Sequence, residues 1–373
     1  MEFGLSQEQQ QLKDSARAFL TKECSTAHVR QIMADEEGTP RDLYSAIAKL
    51  GWNGLLVPEK FGGAGLGMLD MSLLLEECGY SALPGPFLFS SALAASVLAD
   101  GGSDYLSERW LRPLAEGRAI GTVAVVEAND SINPADLATT ARQTGSGWVL
   151  NGSKMFVPYA QVADFVIVAA RTGGGSPNVG LFLVEPKHSG VRIRHLMNLD
   201  LTRRVCAMEF DSVEIPAEAA LGDEADLYDR LVDVAAVAIA ADSLGGTERA
   251  LDMAVEYSKV REQFGKPIGA YQALQHAAAE IVADIEPTRA LLWYAAYLLD
   301  TQPREASRAA AMVKARMCEV FMRGADRAVL MHGGIGFTWD HDIHLWFKRA
   351  RFNESYFGAP PFHRERVATL GNY

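Results

Sequence analysis

GGIGFTWDHDIHLWFKRARFNESYFG, residues 333–358, is the stretch on which the reading of this chain turns. With His332 it opens as HGGIG. Glycines remove the Cβ that would keep a ligand from the backbone and leave N–H donors free, although the same turn would equally serve to end a helix. A second stretch, REQFGKPIG at 261–269, follows a helical pattern. Taken alone, an RxxFG sequence reads as a charged helix end with its Phe tucked inward. Asp340-His341-Asp342-x-His344 invites a metal assignment. These residues are too near one another in the chain to surround one ion from a helix, so a solvated face is predicted, with no metal site.

Composition sets the bounds. A chain of 373 residues is long enough for two or three domains with sizeable cores. A net charge of -12 and a pI near 5.2 argue against non-specific nucleic-acid binding and against adsorption to an anionic membrane. Cys24, Cys78, Cys206 and Cys318 lie far apart without metal spacing, as expected of reduced, buried thiols in a cytoplasmic protein. The first residues, MEFGLSQEQQQLKDSARAFL, have no basic region before an apolar run and read as an amphipathic helix rather than a signal peptide. VAAVAIAA at 234–241 is too short to span a bilayer and suits a buried helix.

Three patterns succeed one another. Residues 1–118 read as helical: Ser6 is placed to cap a helix with Leu12, Ala16, Phe19 and Leu20 on one face. DLYSAIAKLG and MLDMSLLLEECGY predict two more helices, ending at Gly51 and Gly79. Between them LLVPEKFGGAGLG, 55–67, is forced into a loop by Pro58 and its glycines. From 119 to 222 the period becomes two. The candidate strands are 122–128, 147–152, 164–171, 179–186, 191–196 and 207–216, with GGGS at 173–176 as a hairpin tip. Short, evenly spaced strands predict an antiparallel barrel or sandwich, and the absence of GxGxxG after any of them leaves a Rossmann site without support. Residues 223–373 return to helical spacing through 227–241, 251–255, 270–300 and 304–330, which predicts a four-helix bundle.

REQFG and the tail segment together resemble the C-terminal domain of the acyl-CoA dehydrogenases, FAD enzymes that desaturate acyl-CoA thioesters. The α–β–α order resembles that family over the full chain, and PEKFGGAG resembles its PExxGGxG element. The resemblance implies an α+β multidomain fold: an N-terminal α-helical domain (1–118), a middle antiparallel β-barrel or sandwich domain (119–222) and a C-terminal four-helix bundle domain (223–373). It implies that Arg261, Gln263 and Phe264 contact the pyrophosphate and adenine end of an FAD seated mainly in a neighbouring subunit. It also implies that Gly333, Gly334 and Gly336 approach that pyrophosphate. A guanidinium pairs with phosphate oxygens through two donors, and an aromatic face packs on a dinucleotide.

The departures are as specific. The family ends this segment in Tyr-Glu-Gly, with the Glu as the base that removes the α-proton of the thioester; here it is Tyr356-Phe357-Gly358, and phenylalanine has no lone pair to accept a proton. Leu330 stands where the family has a cofactor-binding Gln. Glu127 is kept from a Thr-Glu-Pro element beside the flavin ring, but its neighbours are Val126 and Ala128. A Trp-x-Thr element, whose hydroxyl bonds flavin N5, is replaced by Phe156-Val157-Pro158, and proline has neither hydroxyl nor N–H. Ala359-Pro360-Pro361 replaces a run holding the chain's own FAD. The alternative base position of some relatives falls on Ala235, with Ala236 following. Of the nearby carboxylates Asp229, Asp233, Asp242 and Glu354, Glu354 is the best remaining candidate, or else a surface residue.

Groups that would build this chain's own flavin site are altered, whereas those reaching a partner's FAD are mostly kept. No catalytic residue is therefore assigned. The pattern resembles the non-catalytic subunits of heteromeric (α2β2) acyl-CoA dehydrogenases of bacterial sterol side-chain catabolism, with one FAD per unlike pair. The partners implied are a homologous catalytic chain, an acyl-CoA substrate and an electron-transfer flavoprotein or similar acceptor. Two alternatives stand beside it: a self-sufficient homo-oligomeric dehydrogenase with a displaced carboxylate base, and a flavin-free acyl-CoA-binding or structural protein.

Overall fold

Ser6 caps the first helix in the computed structural model, which describes residues 4–173, 178–222, 225–301 and 303–372. Its hydroxyl accepts from the Gln9 N–H at 3.2 Å while the Gln9 amide oxygen accepts from the Ser6 N–H at 3.1 Å, starting α1 (Gln7–Glu23) with a reciprocal capping box. Ala16 and Leu20 are buried on the expected face. After α2 (Thr26–Ala34) comes α3 (Arg41–Lys49), which stops before Gly51 at φ +80°, as predicted. The glycine-rich segment is a loop around one short 3-10 turn, Glu59–Phe61. α4 (Met68–Tyr80) ends one residue after Gly79, with the bounds expected. A buried π-helical run, Leu88–Ala94, then leads into α5 (Ala95–Gly101) and α6 (Asp104–Ala115).

The alternating region supplies eight strands: β1 (Gly121–Ala124), β2 (Thr140–Gln143), β3 (Gly147–Pro158), β4 (Phe165–Arg171), β5 (Val179–Val184), β6 (Val191–Leu196), β7 (Val205–Pro216) and β8 (Ala220–Leu221). They form one sheet in the order β6-β7-β3-β2-β4-β5-β8, with β1 against β4. Five pairings are antiparallel; β1–β4 and β2–β4 run parallel. β2 and β8, reading TARQ and AL, are too short to show a period in the sequence. The predicted hairpin tip falls largely on residues 174–176, outside the described ones. β3 continues well past the predicted 152, through register shifts at Leu150/Gly152 and Lys154/Val157, with Phe156 at φ +53° in the second. One face of the sheet buries Leu150, Val166, Val168, Phe182 and Met208.

Packing divides the chain into two units: Met1–Gln31, Ser72–Leu83 and Ala236–Tyr373 in one, Ile32–Met71 and Pro84–Ala235 in the other. The sheet belongs to the second. The first holds α1, most of α4 and the C-terminal elements: most of α7 (Ala225–Val260), the short strands β9 (Glu262–Gln263) and β10 (Lys266–Pro267), α8 (Gln272–Thr301), α9 (Pro303–His332), α10 (Ile343–Ser355) and α11 (Pro360–Gly371). The patterns at 227–241 and 251–255 are thus one helix. α8, α10 and α11 all pack on α9.

Gly79 owes its place to this packing. A Cβ on it would lie 1.9 Å from the Asp242 carbonyl oxygen, and a Cβ on Gly245 would lie 1.7 Å from that of Glu76. The backbones of α4 and α7 touch, and only glycine leaves room. Beside this crossing the buried Glu76 accepts from Lys13 at 2.7 Å and from Arg289, and the buried Glu77 from Arg17 Nη2 at 3.1 Å, so neither charge is left unpaired. All four cysteines are free and buried. Among the described residues no helix is long and apolar enough to cross a membrane.

Candidate functional site

REQFG forms the tip of a hairpin in the first unit. Gln263 pairs with Lys266 and Glu262 with Pro267, leaving a two-residue turn of Phe264 at φ +54° and Gly265 at φ +81°. Two successive positive φ values suit a tight hairpin, and Gly265 supplies one of them without strain. The Phe264 ring is turned outward, 93% exposed, which removes the tucked-in alternative. Arg261 is exposed too, with no ion-pair partner among the described residues, while its carbonyl accepts from the Ile268 N–H at 2.8 Å. The Gln263 carbonyl accepts from the Tyr271 hydroxyl at 3.1 Å. Beside the hairpin lies an open, mostly apolar groove of about 710 Å³ lined by Gln263, Phe264, Tyr271, Leu274, Leu330 and Met331. Folding therefore brings Leu330, the residue in place of the family's Gln, to the predicted pair Gln263 and Phe264.

The glycines of the HGGIG turn divide by role. Gly333, at φ +65°, and Gly334 are exposed, and a Cβ on either would meet nothing within 4 Å. Their backbone borders open space. Gly336 is buried, and a Cβ there would lie 2.6 Å from the Val329 carbonyl oxygen, so it closes the short turn Gly333–Phe337 onto the end of α9. His332, a residue the sequence reading passed over, anchors the turn. Its Nδ1 lies 2.6 Å from the Ala328 carbonyl, and its ring stacks on Tyr257 at 4.7 Å and meets His341 at 4.2 Å. Burial pushes the pKa values of both histidines down.

The solvated face expected for 340–344 holds only for Asp340. His341 packs on His332, Asp342 accepts from Arg30 Nε at 2.6 Å, and His344 is buried against Trp339 at 4.6 Å. Burial, then the Lys348 and Arg30 cations, push His344 down to about 4. Tertiary contacts absorb these side chains individually.

At the family's base position, Phe357 is buried at φ +57°, followed by Gly358 at φ +88°. Two buried residues without a sequence signature clamp this turn. Lys314 Nζ donates to the carbonyls of Asn353 at 2.7 Å and Gly358 at 3.2 Å, and His363 Nε2 donates to the Phe357 carbonyl at 2.8 Å. Burial and then the Lys314 ammonium push His363 down to about 3, so it is neutral. The one available signal was Lys314 closing the apolar run AAAMV on a helical stretch. Glu354 does not face this turn alone: it forms an ion pair with Arg351 at 2.9 Å, one turn earlier on α10. Asp242 is buried with Arg349 at 3.4 Å and Asn353 at 2.8 Å. Asp229, Asp233 and Ala235 belong to the second unit, and Ala235 and Ala236 are both fully buried.

In the second unit Glu127 is committed to structure. Its carboxylate accepts from the Ala138 N–H at 2.6 Å, the Thr139 N–H at 3.0 Å and Lys154 Nζ at 2.7 Å. Burial pushes its pKa up, but the Lys154 ammonium and these hydrogen bonds outweigh that and hold it below the usual carboxylate value; burial pushes Lys154 itself down to about 8. Lys154 also reaches the Val125 carbonyl at 3.0 Å, just beyond the end of β1, which stops short of the predicted 128. Pro158 ends β3, and its carbonyl accepts from the Thr122 hydroxyl at 2.6 Å. Proline has neither an N–H nor a hydroxyl, and the Glu127 carboxylate only accepts, so neither side chain offers a donor to a flavin ring.

The α–β–α chain, the outward hairpin and the glycine turn define one class. The family descriptions for acyl-CoA dehydrogenase N-terminal, middle and C-terminal domains match residues 6–118, 122–213 and 228–370, and the chain belongs to the acyl-CoA dehydrogenase family, whose cofactor is FAD. It is 32% identical over 368 residues to the acyl-CoA dehydrogenase IpdE2 of Mycolicibacterium smegmatis, covering 98% of each chain. Among solved structures it is similar to the ChsE4–ChsE5 complex from Mycobacterium tuberculosis, with a TM-score of 0.92 and 29% identity over 100% of this chain and 99% of that one. It is also similar to the Tcur3481–Tcur3483 steroid ACAD, with a TM-score of 0.90 and 30% identity over 98% of each.

Proposed function

We propose that this chain is the non-catalytic subunit of a heteromeric, FAD-dependent acyl-CoA dehydrogenase and completes the FAD site of a homologous catalytic chain in an α2β2 assembly. One contrast carries the reading. The hairpin that would reach a partner's cofactor presents a bare Phe264 and an exposed Arg261 with no ion-pair partner among the described residues, while the turn that would carry this chain's own base holds a buried Phe357. When bound, FAD supplies the hydride acceptor for α,β-desaturation of an acyl-CoA thioester. This chain's part is binding: Arg261 pairs with phosphate, Phe264 packs on the nucleotide, Gln263 offers its amide, and Gly333, Gly334 and Gly336 bring backbone close. The α-proton goes to a carboxylate of the partner chain. The Glu127 carboxylate is held by Lys154 and Pro158 has no donor, so these two positions supply no hydrogen-bond donor to a flavin ring of this chain's own.

The names of the ChsE4–ChsE5 complex and the steroid ACAD support an unlike pair and a sterol-derived acyl group. We further propose the domain division 1–118, 119–222 and 223–373, a cytoplasmic location and an electron-transfer flavoprotein or similar acceptor. The self-sufficient alternative has no support from Glu354, which Arg351 already pairs.

The test is flavin content. The chain expressed alone should carry little or no FAD, and co-expression with a homologous chain bearing Tyr-Glu-Gly should give one FAD per unlike pair by absorbance. A yellow homodimer with one FAD per chain refutes the subunit reading, and a colourless complex would favour a flavin-free role.

A further inference from the structure

The ring contact between His332 and His341, at 4.2 Å, joins the glycine turn to the start of α10. Both rings also lie against Tyr257 of α7, His332 at 4.7 Å and His341 at 6.2 Å. His332 is the last residue of α9, and its Nδ1 donates to the Ala328 carbonyl at 2.6 Å. The exposed Gly333 and Gly334 follow it directly, so whatever holds the His332 ring also holds their backbone.

His341 makes this contact as a neutral ring. Its Nδ1 accepts from the Ile343 N–H at 3.1 Å, which puts its own proton on Nε2. Ile343 opens α10, and its N–H is one of the donors a helix leaves without an intrahelical partner; the N-cap residue Asp342 supplies no side-chain cap. A second proton on His341 goes to Nδ1. There it sets two donors against each other and places a cation at a helix N-terminus, whose dipole disfavours positive charge. Relief requires the ring to turn away from Ile343, and with it from His332.

The groups facing the pair do not rescue the cation. Burial comes first and pushes both histidines down. Asp342 favours a charged His341, but Arg30 of α2 opposes it and already holds the Asp342 carboxylate at 2.6 Å. The Ala328 and Met253 carbonyls favour a charged His332, and His341 opposes it. His344, further along α10, turns to Trp339 and Arg30 instead, and burial pushes it down to about 4.

We infer that His332 and His341 are a pH-sensitive positioning pair for the glycine turn: while neutral they hold Gly333 and Gly334 toward the pyrophosphate of the partner's FAD, and protonation of His341 releases them. This rests on the subunit reading and adds its regulation, since release of the cofactor takes up a proton. With both folded values below the usual 6.5, the held state is complete above about pH 6.5 and is lost as pH falls. For one proton taken up, each pH unit below that weakens affinity by up to about tenfold.

The test has two arms. In the free full chain, imidazole and nitrogen-labelled glycine NMR signals are followed from about pH 7.5 to about pH 5, above the values of His344 and His363. The Gly333 and Gly334 signals should move with the His341 midpoint. In His341→Asn they should stay still, because the asparagine oxygen can accept from the Ile343 N–H and does not titrate. In the co-expressed complex, FAD affinity should fall at least about tenfold between about pH 7 and about pH 5. The His341→Asn complex, weaker at neutral pH for want of the ring contact, should be flat over that range. A variant that only lowers the melting temperature and keeps the wild-type pH profile overturns the inference. So do glycine signals that ignore His341, or wild-type FAD affinity that is flat with pH. A wild-type complex without FAD at neutral pH overturns the subunit reading instead, and the glycine signals of the free chain then decide the positioning role by themselves.

Discussion

Phe264→Ala separates a residue kept for a partner from one kept for the fold. In the free chain the ring is 93% exposed, so truncation removes almost no buried surface and the melting temperature should stay within about 1 °C of wild type. In the assembly the same ring is expected to be buried. Burying a Phe fully is worth roughly 1.5–3 kcal/mol, which converts to a weakening of about 10- to 150-fold in association with the catalytic chain, or in FAD retention by the complex. The backbone supplies a control. Phe264 sits at φ +54°, a conformation costing a non-glycine residue about 1 kcal/mol or more. Phe264→Gly should therefore stabilise the free chain by about 1 kcal/mol and weaken the assembly as much as alanine does. Denaturant unfolding of the free chain, with sedimentation and flavin absorbance of the co-expressed complex, reads both quantities. Unchanged assembly and FAD content in both variants, or a clearly destabilised free alanine variant, would refute the reasoning.

Arg261→Ala should cost the complex roughly 1.5–3 kcal/mol of FAD affinity, measured by flavin release, since a charged hydrogen bond to phosphate is lost; unchanged retention would show that the hairpin does not meet the cofactor. His363 carries a pH signature. Its folded pKa, about 3, lies below the unfolded value near 6.5, so its contribution is fully present above about pH 6.5 and is lost as pH falls toward 3. His363→Gln should flatten the fall in stability with pH over that window by a few kcal/mol, on the order expected of a strongly depressed histidine, and an unchanged acid arm would contradict the buried neutral ring. Gly79→Ala should destabilise the chain by at least about 3 kcal/mol, because its Cβ has only 1.9 Å to the Asp242 carbonyl, whereas Gly334→Ala, with nothing within 4 Å, should be nearly neutral by thermal melting. Glu354→Gln should leave turnover of the complex nearly intact; a loss of orders of magnitude with FAD retained would place the base in this chain.

How much of the candidate site was legible depended on how local each feature is. The residues of the hairpin tip could be named from REQFG, because a glycine and its neighbours fix a turn within a few positions. Outward projection of Phe264 could not, since a lone RxxFG is compatible with either side. Gly79 does lie one residue from the end of its helix, as read, but glycine serves close packing as well as chain termination, and only the carbonyl of Asp242 on a distant helix shows that second role. The acidic-histidine run likewise looked solvated until Arg30, His332 and Trp339 were seen to occupy its side chains.

By itself the sequence determined the α–β–α order, the cap at Ser6, the loop at 55–67 and the absence of a proton acceptor at position 357. Each of these follows from backbone preference or side-chain chemistry within a short window. Tertiary structure alone decided that Glu127 is spent on Lys154 and the backbone of Ala138 and Thr139, and that Lys314 and His363 clamp the Phe357 turn. It also decided that Tyr257 lies against His332 and His341. Those residues are separated by tens of positions, and what places them together is the burial of apolar faces far from any of them, a constraint distributed over the whole chain rather than written beside the residues it positions.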